Sequence, residues 1–245
     1  MRIFIIFINT EGMVSNELYT KSKAKKIPIR HVCEVGVYSP ELSNILDFIT
    51  RDQVRTTLVE PMPDSIAAIE RSFGKYAHVR LYPVAIYDYH GTLELAHRGE
   101  STFATTLPFS PAMVNDEYVV QNEDTFNVAC VRFDELDDGT IDLLSVDTEG
   151  CEWYILKYMK SRPAVISLET HGKTYSNPYL SEINGWMADN GYKPWFINRT
   201  DTVYAKEGAF QPNWKDTFLL WSRGVGVKFR KFRKSIGKKS LPKTA

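Results

Sequence analysis

The sequence predicts an α/β fold in which a mostly parallel sheet is flanked by crossover helices within one large domain. Three observations point there. The 245 residues are 43% hydrophobic and 13% aromatic, enough to bury one full-sized core. From residue 31 onward, short β-rich runs alternate with helix-like ones, the pattern of strands joined by crossover helices. No internal repeat, low-complexity run or long linker divides the chain.

The elements follow in order. The opening MRIFIIFINT has six consecutive apolar residues, too few for a signal-peptide core or for the ~20 that span a bilayer. Ile3 to Ile8 therefore read as a buried strand or packing segment, and residues 1–30 as an N-terminal extension. HVCEV is a strand, and ELSNILDFI a helix opened by Ser39-Pro40 as an N-cap followed by proline. TTLVE is the second strand. PDSIAAIERSFGKY is a helix, with Asp64 ahead of an apolar face of Ile66, Ile69 and Phe73. VRLYPVAIY reads as one further strand, ending before a turn at His90-Gly91. IDLLSVD is a buried strand, CEWYILKYM a helix and AVISLET another strand. YKPWFINR, TVYAK and DTFLLWS are expected to finish the sheet as antiparallel strands.

Cysteine and charge narrow the class. Cys33, Cys130 and Cys151 form no close pair and no C-x-x-C, which argues against a disulfide framework or zinc ribbon and suggests a reducing, cytoplasmic setting. Net charge is zero but unevenly spread. Residues 223–245 carry nine Lys or Arg and no acid, leaving 21 basic against 30 acidic residues in the first 222. Phe229, Phe232 and Ile236 recur at helical spacing within that tail, as in a helix that binds a membrane surface or a partner; a solvated chain end is the other reading. The domain proper is thus placed at residues 31–222, ahead of the basic tail.

In an open α/β sheet, ligands bind outside the carboxyl ends of the strands, and CEVGVYSP lies at the first such end. Gly36 allows close approach of a ligand, Ser39 is small, and Glu34 puts a carboxylate at the rim. Glu60 closes the second strand, where an acid can accept hydrogen bonds from ribose hydroxyls, or can simply face solvent.

EVGVYS, LVEPMPDSIAAIE, VRLYPVAIYDYHGTLEL and VRFDELDDGTIDLLSVDTEGCEWYILKYM, in that order, resemble the FkbM-type family of S-adenosylmethionine-dependent methyltransferases over about residues 30–205. IDLLSVDTEGCEWYIL is the most specific piece, matching a strand followed by D-x-E-G-x-E. The resemblance implies a Rossmann-like class I fold with a seven-stranded sheet, and methyl transfer to a hydroxyl of a sugar, glycan or related polyol. By the same resemblance, Glu34, Gly36 and Ser39 pass the methionine part of the cofactor, although Tyr38-Ser39-Pro40 is less glycine-rich than the family's turn. Glu60 and Pro61 match the acid-Pro pair beside the ribose, Ala85, Ile86 and Asp88 the segment edging the adenine, and Ser101 a serine near the cofactor.

Asp147 ends an apolar strand and would face the cofactor's sulfonium and amino groups, with Glu149 on the following turn. Glu152 opens a helix, where an acid suits the N-terminal dipole. His171 follows AVISLET at the same rim, and an imidazole can take the proton of an attacking hydroxyl. Asp147, Glu149 and His171 are therefore the catalytic candidates. Asp147 with Glu169 or His171 can alternatively hold Mg²⁺ or Mn²⁺, a reading not favoured without a compact ligand motif. Tyr175 and Tyr179 are candidates for an acceptor lid; Trp186, Trp195 and Trp214 read as core. Two other classes remain open: a noncatalytic module that binds membrane or nucleic acid through its tail, and a nicotinamide dehydrogenase, which lacks the three-glycine turn.

Overall fold

A computed structural model describes residues 16–171, 175–198 and 200–211. The Ile3 to Ile8 segment, DTFLLWS, Trp214 and the basic tail lie outside these residues. In chain order the elements are α1 (Glu17–Ala24), β1 (His31–Val35), α2 (Leu46–Thr50), β2 (Arg55–Val59), α3 (Pro63–Phe73), β3 (Val79–Tyr82), β4 (Ala85–Ile86), β5 (Gly91–Ala96) and β6 (Phe103–Ala104). There follow α4 (Pro111–Asn115), β7 (Thr125–Val131), β8 (Leu143–Val146), α5 (Glu152–Tyr158), β9 (Val165–Glu169), α6 (Leu180–Asp189), β10 (Tyr192–Asn198) and β11 (Asp201–Lys206).

Seven strands form the main sheet in the order β10-β11-β9-β8-β1-β2-β3, with only β11 running against the rest. Strands β1, β8 and β9 are buried throughout because helices cover both faces, which is why they read as unbroken apolar runs. Alternation along each strand divides the core. Cys33, Val35, Leu144, Val146, Ile166 and Leu168 pack with Ile155, Leu156, Ile183 and Met187 of α5 and α6. Val32, Leu58, Leu143, Val165 and Val203 pack with Leu18, Phe48, Ile49, Ile69 and Phe73 of α1 to α3.

Four expectations change. Helix α1 was not foreseen, and it belongs to the body of the domain: Leu18 is 1% exposed, and Tyr19 sets its ring edge-on to Phe48 at 4.9 Å. ELSNILDFI divides into a 3-10 turn over Pro40–Leu42 and the short α2, and Ser39 makes no side-chain cap. Helix α3 starts with Pro63 at its first position, so Met62 occupies the cap and Asp64 lies in the first turn. VRLYPVAIY breaks at Pro83, which has no N–H to give a ladder: β3 stays in the main sheet, while β4 joins a second sheet ordered β4-β7-β5-β6.

Chain direction across the main sheet reverses at β1. From β1 the chain builds outward through β2 and β3, and it returns through β8 on β1's other side. The carboxyl ends of β1 and β8 thus bound a crevice at the switch point, and the second sheet closes its far side. No helix among the described residues is long and apolar enough to cross a membrane.

Candidate active site

A cleft of about 360 Å³ opens at this switch point. Its floor is the turn after β1, Gly36 to Tyr38; Glu60 to Met62 after β2 form one side; Ala85, Ile86, Leu93, Leu95 and Phe103 of the second sheet form an apolar wall. Opposite lie Asp147 to Glu149, Glu169 and Thr200. A volume in the 300–1,000 Å³ class, with one apolar wall and converging polar groups, is usual for a small-molecule site.

The turn after β1 is held by Glu60. Its Oε2 accepts from the N–H groups of Val37 (3.0 Å) and Tyr38 (2.8 Å), and its Oε1 accepts from the Met62 N–H (2.9 Å). The carboxylate expected beside ribose is therefore also the clamp joining the first two strand-end turns. Gly36 is required for a reason besides ligand access: at φ +82° a Cβ there would lie 1.9 Å from the Asp147 carbonyl oxygen. Absence of that Cβ lets the ends of β1 and β8 meet. Glu34 lines the cleft and accepts from Ser43 Oγ (2.5 Å) and Asn44 N–H (2.8 Å); burial pushes its carboxyl up to about 7.

Turn 147–151 is built around Glu152, which is fully buried. Glu152 Oε1 accepts from the N–H of Thr148 (2.9 Å), the Thr148 hydroxyl (3.1 Å) and the N–H of Gly150 (3.2 Å), and Asn177 Nδ2 donates to Oε2. Its part is structural, and it frees its neighbours. Asp147, Glu149 and Glu169 each present a carboxylate oxygen within 4.8 Å of the other two. Asp147 Oδ1, Glu149 Oε2 and Glu169 Oε2 are buried without a hydrogen-bond partner among the described residues. Burial, followed by the charges of neighbouring acids, raises all three: Glu149 to about 9, Glu169 to about 11, and Asp147 in the same direction. Asp201, Glu152, Glu34 and Glu100 add to that field.

Several expected site residues are placed elsewhere. His171 does not line the cleft; it is buried beside the rim with Nδ1 2.9 Å from Thr170 Oγ1, and Glu169, two residues earlier, faces the cleft instead. Asp88 pairs with Lys157 Nζ (2.5 Å) and accepts from the Tyr158 hydroxyl (2.7 Å), so it ties the second sheet to α5, and it is not among the residues that line the cleft. Ser39 turns outward and donates to Glu41 Oε2 at 2.6 Å. Tyr175 is fully buried, and the Tyr179 hydroxyl lies 2.7 Å from that of Tyr154; neither lines the cleft as a lid. Glu34, Gly36, Glu60, Pro61, Ala85, Ile86, Ser101, Asp147 and Glu149 do come together around it. Glu100, Asn44 and Thr200 also line it, and only Glu100, beside Ser101, had a signal in sequence; Asn44 and Thr200 arrive through tertiary packing.

These residues suit S-adenosylmethionine. The apolar wall can take an adenine, and Glu60 retains acceptor capacity for a ribose beside its backbone bonds. The unpartnered carboxylates favour a ligand that carries positive charge. No Lys, Arg or His is among the described residues that line the cleft.

No curated protein matches the chain. Among solved structures, a putative methyltransferase from Thermoplasma acidophilum is similar at 14% identity, covering 75% of this chain and 70% of that one, with a TM-score of 0.36. A SAM-dependent methyltransferase from Aquifex aeolicus is similar at 11% identity over 77% of this chain and 88% of that one, with a TM-score of 0.41. A precorrin-6y C5,15-methyltransferase from Geobacter metallireducens is similar at 12% identity over 82% and 92%, with a TM-score of 0.41. The family described as the methyltransferase FkbM domain matches residues 34–194, from β1 into β10, and so takes in the turns that form the cleft after β1, β2, β8 and β9. This chain belongs to the FkbM methyltransferase domain family and is an S-adenosylmethionine-dependent methyltransferase.

Proposed function

We propose that the enzyme methylates a hydroxyl oxygen of a neutral sugar or similar polyol. The observation that carries this reading is the composition of the cleft: carboxylates of Glu34, Glu60, Glu100, Asp147, Glu149 and Glu169, hydroxyls of Ser101, Thr102, Thr148 and Thr200, and no cationic side chain among the described residues that line it. Such a lining supplies acceptors for several hydroxyl donors and repels phosphate or carboxylate groups. Nucleotide sugars are accordingly the poorer acceptors.

S-adenosylmethionine supplies an electrophilic methyl group. The protein's part is to hold the acceptor oxygen in line, exclude water and accommodate the hydroxyl's proton. Turns 36–38 and 147–151 both bring backbone to the cleft, with their separation set by the Gly36 contact. Proton transfer falls to the Asp147, Glu149 and Glu169 cluster, because these oxygens face the cleft and His171 does not.

The test is transfer of an isotopically labelled methyl group to a panel of neutral sugars, amino sugars, nucleotide sugars and small amines, with the product bond located by mass spectrometry. An oxygen-linked methyl on a neutral polyol is expected. Label confined to nitrogen or carbon, or a preference for phosphorylated acceptors, would overturn this reading.

A further inference from the structure

We propose that Tyr38 is the stacking platform of an acceptor subsite at the mouth of the cleft, where its ring takes the C–H face of a neutral sugar and Glu100 accepts from the sugar's hydroxyls. The choice of a sugar rests on the polyol reading above. Exposure along the lining locates the subsite. Glu34, Glu60 and Ile86 are each 3% exposed, whereas Tyr38 is 41% and Leu42 63% exposed. The deep part, with its apolar wall, suits the nucleoside of the cofactor, so a second ligand arriving from solvent meets the exposed residues. Tyr89, Phe109 and Val119, the other exposed large apolar side chains among the described residues, do not line the cleft. Tyr38 and Leu42 thus set an apolar lip on an otherwise acidic cleft.

The backbone holds Tyr38 there at a cost. Its φ of 52° lies in the left-handed region, which is uncommon for a bulky side chain. Glu60 Oε2 fixes the turn by accepting from the N–H groups of Val37 (3.0 Å) and Tyr38 (2.8 Å). Strain retained in this way concentrates at positions that touch ligands. Across from Tyr38 stands the tip of the hairpin formed by β5 and β6. A Cβ on Gly99 would lie 3.6 Å from the Tyr38 hydroxyl oxygen, so the side chain reaches from the turn after β1 to the second sheet. That tip is itself fixed, because Thr102 Oγ1 accepts from the Arg98 N–H (3.0 Å) and donates to the Gly99 carbonyl (2.8 Å). Glu100, next to Gly99, is exposed and also lines the cleft. An aromatic face and a carboxylate therefore border one opening.

A sugar needs both. The face of an aromatic ring is electron-rich and attracts the weakly positive C–H hydrogens of a pyranose face. Hydroxyls at the sugar's edge need acceptors, which a carboxylate supplies. A phosphate-bearing ligand gains nothing from the ring and is repelled by Glu100. Tyr38 lies in the stretch where this chain is less glycine-rich than its family's turn, so its ring adds to the cofactor loop a surface that glycine would not provide.

The experiment uses the full chain saturated with S-adenosylhomocysteine. The methyl glycosides of glucose, galactose and mannose are titrated singly, with binding read by saturation-transfer difference NMR. At least one is expected to bind, with the strongest transfer to its ring C–H protons. Its affinity should fall tenfold or more in Tyr38→Asn and threefold or more in Glu100→Ala, stay within threefold in Tyr38→Phe, and be unaltered in Tyr89→Asn. Asparagine tolerates the left-handed backbone, so Tyr38→Asn removes the ring and keeps the turn. S-adenosylhomocysteine affinity, measured by calorimetry, should change less than threefold in Tyr38→Asn. Absence of glycoside binding, or wild-type affinity in Tyr38→Asn or Glu100→Ala, overturns the subsite. A tenfold loss of S-adenosylhomocysteine binding in Tyr38→Asn also overturns it, because the ring would then cover the cofactor. Tyr38-dependent binding of a glycoside that is not methylated would support the subsite and count against the polyol as the methylated acceptor.

Discussion

Gly36 shows how one absent methyl group sets the site. Its φ of +82° lies in the left-handed region, and a Cβ would overlap the Asp147 carbonyl oxygen at 1.9 Å. Gly36→Ala is expected to abolish measurable cofactor binding and to lower thermal stability; unchanged binding by calorimetry would show that the turn can relax without loss. Glu34 sets a pH dependence. Burial raises its carboxyl from 4.5 to about 7 in the folded state, so the folded protein binds the proton more tightly than the unfolded chain. That contribution is fully present below about pH 4.5 and declines as pH rises to about 7, at no more than ~1.4 kcal/mol per pH unit. Glu149 and Glu169, at about 9 and 11, carry the same sign to higher pH. In Glu34→Gln, denaturant unfolding at pH 5 and 7 should show a smaller fall in stability than wild type; an identical fall would rule out Glu34 as its source.

Among the local elements, the two turns bordering the cleft share one construction. Each contains a non-glycine residue with positive φ, Tyr38 at 52° and Glu149 at 54°. Each is also held by a buried glutamate accepting backbone N–H groups, Glu60 in the first and Glu152 in the second. Such strained conformations persist only where the surroundings over-determine them. Glu152→Ala would leave the Thr148 and Gly150 N–H groups without their acceptor and is expected to cost on the order of 3 kcal/mol. It should also weaken S-adenosylhomocysteine binding, because Asp147 and Glu149 flank the released turn. Glu152→Gln keeps one acceptor oxygen and should recover most of the stability. Equal loss in both variants would mean that charge, not turn geometry, is what Glu152 supplies.

Across the whole molecule, the domain begins earlier than the first strand. Leu18 of α1 is 1% exposed and packs in the same core cluster as Phe48, Ile69 and Phe73. Leu18→Ala is expected to cost about 2–5 kcal/mol in denaturant unfolding, the range for a buried leucine. A loss near zero would place α1 outside the folding unit. The amphipathic signal of α1 is weak because its buried residues are Leu18 and Ser22, so apolar periodicity had little to reveal.

The parallel sheet and crossover helices were legible in the residues because strands covered on both faces must be continuously apolar, and β1, β8 and β9 are. The seven-stranded sheet and the D-x-E-G-x-E turn were legible through resemblance to a family, and the structure agrees; the strand order came only from the structure. The strand ends likewise marked Glu34, Gly36, Glu60 and Asp147, since ligands meet an open sheet at its carboxyl edge. What local pattern could not convey was the direction of a side chain once its strand had ended. Glu169 and His171 are two residues apart, yet β9 stops at Glu169; the carboxylate faces the cleft and the imidazole packs beside Thr170. Asp88 was likewise drawn away by Lys157 and Tyr158, partners 69 and 70 residues distant. Those placements depend on contacts between segments far apart in the chain, and only the assembled fold brings such segments together.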